Sequence, residues 1–496
     1  MVKRILLAFP PATISINAWP GVVSRLSRSQ RARLGLLEFC EPGEQTVPVP
    51  TGLGSSDALG MKSIFLSKID EHAAASYASF ASSGGYQNFR FLALKMLNRV
   101  DLSGTFRLLD REVFLQAATL SSFQVLRDRR PDIVVFPVTP HEFLPFVVQK
   151  TAEFLGAKAL FFQPSPMSYS LIPKTGLDSV APVPSDHNVP VARSNEAVLD
   201  RSFQTLLAGN GPKYMDLQVA RDRQVATVRS KIQALRLSIV WLFIDRFPAS
   251  QDLTGHTSVP GVLSRLFKLL ATRSLVSSLR ERALSIEPWQ KQSGPYVVIA
   301  LHYEPERTSI PEGIPVDFQG DLIPKALKLF PSDTSILVKE HYSQQTSALR
   351  GFAGRSPLFY DLLAKMPRTY PINPKEPLGQ IIQGAECVIT LGGTVALEAV
   401  LRGVPVVYYG SPWWAGLPGT VRMTDNLGLE DITAVVLPNE GEVKDFLLHL
   451  HRTAMIPGIG GEDVLKTEKK LGPIPDGLIS AEADAIVQVI LSLDHH

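Results

Sequence analysis

Several short stretches of this chain carry groups that could do chemistry. TPHE (139–142) puts His141 and Glu142 after an apolar run. LHYEPERT (301–308) alternates His302, Glu304 and Glu306 along a few residues. Lys339, Glu340 and His341 follow SILV directly, and Gly392-Gly393-Thr394 leads into VALEAVLRG, with Glu398 four residues beyond Thr394. A glycine turn that opens a helix aims backbone N–H groups at a common point, where an anion is favoured. Lysine and histidine beyond a strand end can hold the same phosphate. Glu398 shares a helix face with Thr394 and can accept two hydroxyls of a ribose. His141 or Glu142 suits a general base near neutral pH. Each stretch also has a plain reading: a tight turn at Gly392-Gly393, solvated loops at 302–307 and 339–341, a capping Thr139 beside an exposed His141, and a surface carboxylate at Glu398.

The elements that would position these groups can be read from hydropathy. KRILLAF, PDIVVF, ALFFQ, PYVVIAL, SILV, ECVITL and PVVYY are β-branched or apolar runs of strand length. Helical spacing lies between them, in FRFLALKMLNRV, REVFLQAATLSSFQVLRDRR, FLPFVVQKTAEFLGAK, DLIPKALKLFP, EPLGQIIQGA and TVALEAVLRG. Strand alternating with helix predicts parallel sheets covered on both faces. Two such halves are expected, 1–180 and 291–440. A Pro-rich linker and a mostly helical insertion separate them at 181–290, and C-terminal helices fill 441–496. Strand alternation puts Lys339 and His341 on one side and Glu340 on the other. Ligands of open parallel sheets bind beyond the carboxyl ends of the strands, where all the candidate groups fall.

The bulk numbers exclude several classes. The 496 residues are 45% hydrophobic and 20% charged with a net charge of +3, as in an ordinary globular protein with no basic tail for nucleic acid. The longest apolar run outside the first strand, LSIVWLFI (237–244), is far short of a membrane span. The apolar core of MVKRILLAFPP is too short for a signal peptide. Cys40 and Cys387 lack metal spacing and suggest a reducing compartment, with Cys387 packed in a strand. A cytoplasmic protein is therefore expected. The basic amphipathic stretch GVLSRLFKLLATRSLVSSLRERA (261–283) keeps a peripheral contact with the inner face of the plasma membrane in view. No Asp-x-Asp pair, phosphate-binding G-x-x-x-x-G-K-[ST] loop, H-E-x-x-H pair or G-x-S-x-G elbow occurs, so no metal and no cofactor is expected.

Three stretches, LHYEPERTSIPEG, LFPSDTSILVKEHYSQ and ECVITLGGTVALEAVLRGVPVVYYGSPWW, resemble the capsule polysaccharide biosynthesis family in the family's order, over roughly 295–415. TPHEFLPFVVQKTAEFLGAKALFF resembles its N-terminal half more loosely. That family includes bacterial β-Kdo transferases, and CMP-Kdo is its best-known donor. The resemblance implies a GT-B fold of two Rossmann-like domains facing a cleft, with the nucleotide sugar held mainly by the second. It implies an inverting, metal-independent glycosyl transfer to a saccharide or lipid-linked saccharide of the bacterial surface. Related sialyltransferase-like enzymes use a His-Pro motif and a Ser/Thr turn at the donor phosphate; His341 and Thr394 match those roles, and Glu398 matches the acidic residue that often meets the ribose. The family usually reads Lys-Glu-His-Pro; here Tyr342 replaces the proline.

The residues expected to bind the donor are thus His302, Glu304, Glu306, Lys339, His341, Gly393, Thr394 and Glu398, with His141 or Glu142 as the base. Two other readings stand beside the transferase: a nucleotide-sugar epimerase, and a catalytically silent scaffold of polysaccharide assembly.

Overall fold

The computed structural model describes residues 2–9, 17–40, 56–60, 64, 68–99, 107–183, 189–208, parts of 274–286, 294–345, 351–461 and 464–493. Most of the expected helical insertion, including GNGP (209–212) and most of the amphipathic stretch 261–283, lies outside them. The described chain forms two units. One contains Met1–Ser202 and His449–His496; the other ends at Leu448.

The first unit is built on β1 (Lys3–Phe9), β2 (Ala32–Cys40), β3 (Ser56–Gly60), β4 (Ile133–Phe136), β5 (Lys158–Pro164), β6 (Ser170–Lys174) and a short β13 (Ile456–Pro457). Their order across the sheet is β13-β6-β5-β4-β1-β2-β3. The strands from β3 to β5 are parallel, and β6 and β13 are added antiparallel. The chain runs outward from β1 to β3, then returns to β4 on the other side of β1. That reversal is the mark of a Rossmann-like sheet.

One face of this sheet buries Ile5, Leu7, Leu36, Val135 and Phe162 against Trp19, Val22 and Leu26 of the helix Trp19–Arg28. The Trp19 ring meets Phe162 edge-on at 6.0 Å. The last helix, Leu478–Ser492, completes the same core with Ile486, Val489 and Ile490. The segment 449–496, expected within a separate set of C-terminal helices, therefore packs as part of the first unit. The cause is its apolar stripe, spaced by three and four residues, which must be covered.

The second unit carries β7 (Tyr296–Ala300), β8 (Ser335–Lys339), β9 (Thr369–Ile372), β10 (Cys387–Thr390), β11 (Val406–Tyr408) and β12 (Thr420–Arg422). All pairs are parallel, and the order is β12-β11-β10-β7-β8-β9. This is again the Rossmann order, with the reversal between β7 and β10. β7 and β10 are buried at every position, as strands covered on both faces must be. Cys387 sits in that core, where burial pushes its thiol up to about 12, so it packs and does not react.

Candidate functional site

β10, β7 and β8 are consecutive neighbours, so their carboxyl ends lie side by side. His302 is two residues past β7, His341 two past β8, and Gly392 two past β10. The three expected motifs therefore meet at one edge of one sheet, at the reversal point where such sheets bind ligands.

His302 is buried, and its surroundings fix its tautomer. Its Nε2 accepts the Gly392 N–H at 3.3 Å and lies 3.0 Å from the Thr390 hydroxyl. An acceptor at Nε2 requires the proton at Nδ1. Burial, with the neighbouring His341, pushes the ring down to about 3. His341 is the mirror case. Its Nδ1 accepts the Ser343 N–H at 3.2 Å, so the proton sits on Nε2. Burial, then the Lys339 charge, pushes it down to about 4.

Gly393 is a glycine for a steric reason. A Cβ there would stand 2.8 Å from His302 Cε1. Trp414, fully buried, holds the turn from behind by donating Nε1–H to the Gly393 carbonyl at 3.1 Å. Among the described residues, the Gly393 and Thr394 N–H groups donate to no backbone carbonyl. The helix that follows, Val395–Val400, is short, and the Thr394 hydroxyl makes no capping bond to it. The Glu398 carboxyl, on that helix, is pushed up by burial, with Arg402 opposing.

The other candidates are engaged differently from their sequence expectation. Lys339 is buried and donates Nζ to the Pro374 carbonyl at 2.6 Å; burial pushes it down to about 8 against the pull of Glu340 and Glu376. Glu304, read as a donor ligand, is ion-paired with Arg355, whose Nε also meets Glu340 Oε1 at 2.6 Å. Tyr360 donates its hydroxyl to the second Glu340 oxygen at 2.6 Å. A buried guanidinium between two buried carboxylates is a supporting strut, because each charge is costly without its partners. Glu306 is exposed and accepts the Thr308 hydroxyl at 3.2 Å.

Sequence reading missed three polar residues that hold these loops. Gln319 receives the His302 N–H at 2.6 Å and returns its own amide to the His302 carbonyl at 3.1 Å. Gln344 does the same for the Glu304 backbone, at 2.8 Å in both directions. Arg355 is the third. They stand 17, 40 and 51 residues from their partners, and no local spacing reports such a contact.

In the first unit, Thr139 is buried past the end of β4 and His141 is half-buried. His141 Nδ1 lies 2.8 Å from the Thr139 carbonyl, which can only accept, so Nδ1 carries the proton and Nε2 the lone pair. Arg99 donates to the His141 carbonyl. Glu142 is exposed at the start of the helix Phe143–Phe154. A concavity of about 750 Å³ opens at the opposite, amino end of β1, β4 and β5, lined by Arg4, Asp132 and Lys158 among others. Arg4 is spent on Asp132 at 2.7 Å, and this is not the edge where open parallel sheets bind ligands.

No family model and no curated protein matches the chain. Solved structures similar to it include UDP-GlcNAc 2-epimerase from Neisseria meningitidis bound to UDP-GlcNAc, at 12% identity over 99% of this chain and 100% of that one, with a TM-score of 0.21. They also include KpsC from Thermosulfurimonas dismutans. Its β-Kdo 2,7 transferase is 11% identical over 71% of this chain and 89% of that one, with a TM-score of 0.29. The glycosyltransferase SnogD from Streptomyces nogalater is 11% identical over 99% of this chain and 100% of that one, with a TM-score of 0.19. With TM-scores this low, the class of fold is read from the two strand orders themselves: an α/β chain of two Rossmann-like units, the make-up of GT-B proteins.

Proposed function

We propose that the protein is a glycosyltransferase that takes a sugar from a nucleotide-activated donor and passes it to a saccharide acceptor of the bacterial surface. The observation that supports this reading is the meeting of His302, His341 and the Gly393-Thr394 turn at the reversal point of the second sheet. The donor phosphate would lie against the His302 Nδ1–H, the His341 Nε2–H and the turn amides. Glu398 would take ribose hydroxyls. His141 is the better choice of base over Glu142, because the Thr139 carbonyl already fixes its tautomer with the lone pair on Nε2. The acceptor hydroxyl attacks the anomeric carbon as the bond from that carbon to the phosphate oxygen breaks. The hydroxyl proton passes to a general base, and the phosphate leaves onto its fixed donors, with inversion and no metal. CMP-Kdo is the first donor to try.

The test is nucleotide release from CMP-, UDP-, GDP- and dTDP-sugars, with and without saccharide and lipid-linked saccharide acceptors. Release that requires an acceptor, falling about a hundredfold in His341→Ala, is the expected result. Epimerised donor without acceptor would favour the epimerase. Consumption of no donor would favour a scaffold.

A further inference from the structure

The two histidines at the second unit's strand ends are tied to the backbone in a complementary way. His302 gives Nε2 to the Gly392 N–H (3.3 Å), and His341 gives Nδ1 to the Ser343 N–H (3.2 Å). Protonating either accepting nitrogen would point an N–H at a backbone N–H, replacing a hydrogen bond with a repulsion between donors. The other nitrogen of each ring, His302 Nδ1 and His341 Nε2, then has to carry the hydrogen. His302 Nδ1 lies beside Gly393, 3.6 Å from where a Cβ would stand.

We propose that His302 and His341 form a pair of tautomer-locked neutral imidazoles that offer N–H donors to one anionic group, and that neither acts as a cation or as a proton donor to the leaving group. This rests on the donor-site reading above and specifies how that site handles charge.

The surrounding charges agree with it. Lys339, one strand position from Glu340, faces His341 and opposes its protonation. His341 in turn opposes protonation of His302. Glu304 and Glu340, the acidic groups closest in sequence, share the single cation Arg355, and Glu340 with Glu376 also pulls on the Lys339 ammonium, so these carboxylates are set against Arg355 and Lys339 rather than against the rings. The Tyr303 ring meets His341 edge-on at 6.5 Å. On the side of β10 the neighbour is the neutral Thr390 hydroxyl. A site of fixed neutral donors loses nothing to ring titration between about pH 5.5 and 8, and it responds weakly to salt, since no mobile cation is screened.

The first experiment needs no ligand. The intact protein is labelled with 15N at its imidazole nitrogens, and the ring signals are followed from pH 8 to 5.5. His302→Asn and His341→Gln assign the two rings, each keeping an amide N–H near the original donor position. The expected result is one ring held as Nδ1–H and one as Nε2–H, unchanged across the range. An imidazolium signal from either ring above pH 5.5 would overturn the proposal. The second experiment measures binding of the methyl phosphodiesters of CMP and UMP, whose single charge does not titrate in this range. A dissociation constant that changes less than threefold between pH 8 and 5.5, and is kept within about tenfold by His341→Gln, is expected. A tenfold tightening toward acid would overturn it. If neither phosphodiester binds, the donor-site reading fails, and the ring signals still decide the tautomer lock.

Discussion

At the scale of single residues, burial does most of the work on His302 and His341, pushing them to about 3 and about 4. An unfolded histidine titrates near 6.5. Between these values the unfolded chain binds more protons than the native one. The stability is therefore full above about pH 6.5 and is lost as pH falls toward the folded values. Each ring can contribute up to about 1.4 kcal/mol per pH unit in that window. Denaturant unfolding at pH 7 and pH 5 should show this acid loss in the parent, and a clearly smaller loss in the double variant His302→Asn, His341→Gln. An identical loss in both proteins would mean the rings are not held neutral. The sequence made these two histidines visible through their place after apolar runs. It could not reveal what holds them. The Gly392 N–H is 90 residues from His302, and the need for glycine at 393 appears only once the His302 ring lies against it.

Among the elements, the loops after β7 and β8 are held by Arg355, which joins Glu304, Glu340 and, through Glu340, Tyr360 of the helix Pro357–Leu363. Arg355→Ala leaves two buried carboxylates without their cation, and should cost about 3–5 kcal/mol in chemical denaturation. The surface pair Arg25–Asp484, broken by Arg25→Ala, should cost less than about 1 kcal/mol. Equal effects of the two substitutions would contradict a supporting role for Arg355. Strands made of unbroken apolar runs, such as KRILLAF and CVIT, were legible. ARLGLLEFC was not read as β2, because Gly35 and the flanking Arg33 and Glu38 break its apolar run. What makes it a strand is its parallel ladder with β1, a pairing from Lys3↔Ala32 to Phe9↔Glu38. Propensity summed along a segment does not see a neighbour of that kind.

For the molecule as a whole, the two α/β halves were legible from strand–helix alternation, and the destination of the last helix was not. An amphipathic stripe states that a helix needs a partner without naming it. Here the partner is the first sheet. Lys3, on β1, donates its ammonium to the Leu491 carbonyl at 2.7 Å and to that of Leu493, placing a cation at the helix C-terminus. Buried Glu482, on the same helix, accepts the Ile459 and Gly460 N–H groups at 3.0 and 2.8 Å. Deleting 478–496 should therefore unfold the first unit, read as loss of the buried Trp19 fluorescence, and spare the second. Retention of a native first unit would contradict this packing. The central claim, a nucleotide site at the carboxyl edge of β10, β7 and β8, is tested most directly by thermal unfolding of the whole protein against CMP, UDP, GDP and dTDP, with Gly393→Ala alongside. One nucleotide at a hundred times its dissociation constant should stabilise the parent by roughly 2.7 kcal/mol. Gly393→Ala, with its methyl driven toward His302, should lose that response. Stabilisation by none of the four, or an undiminished response in Gly393→Ala, would contradict the account.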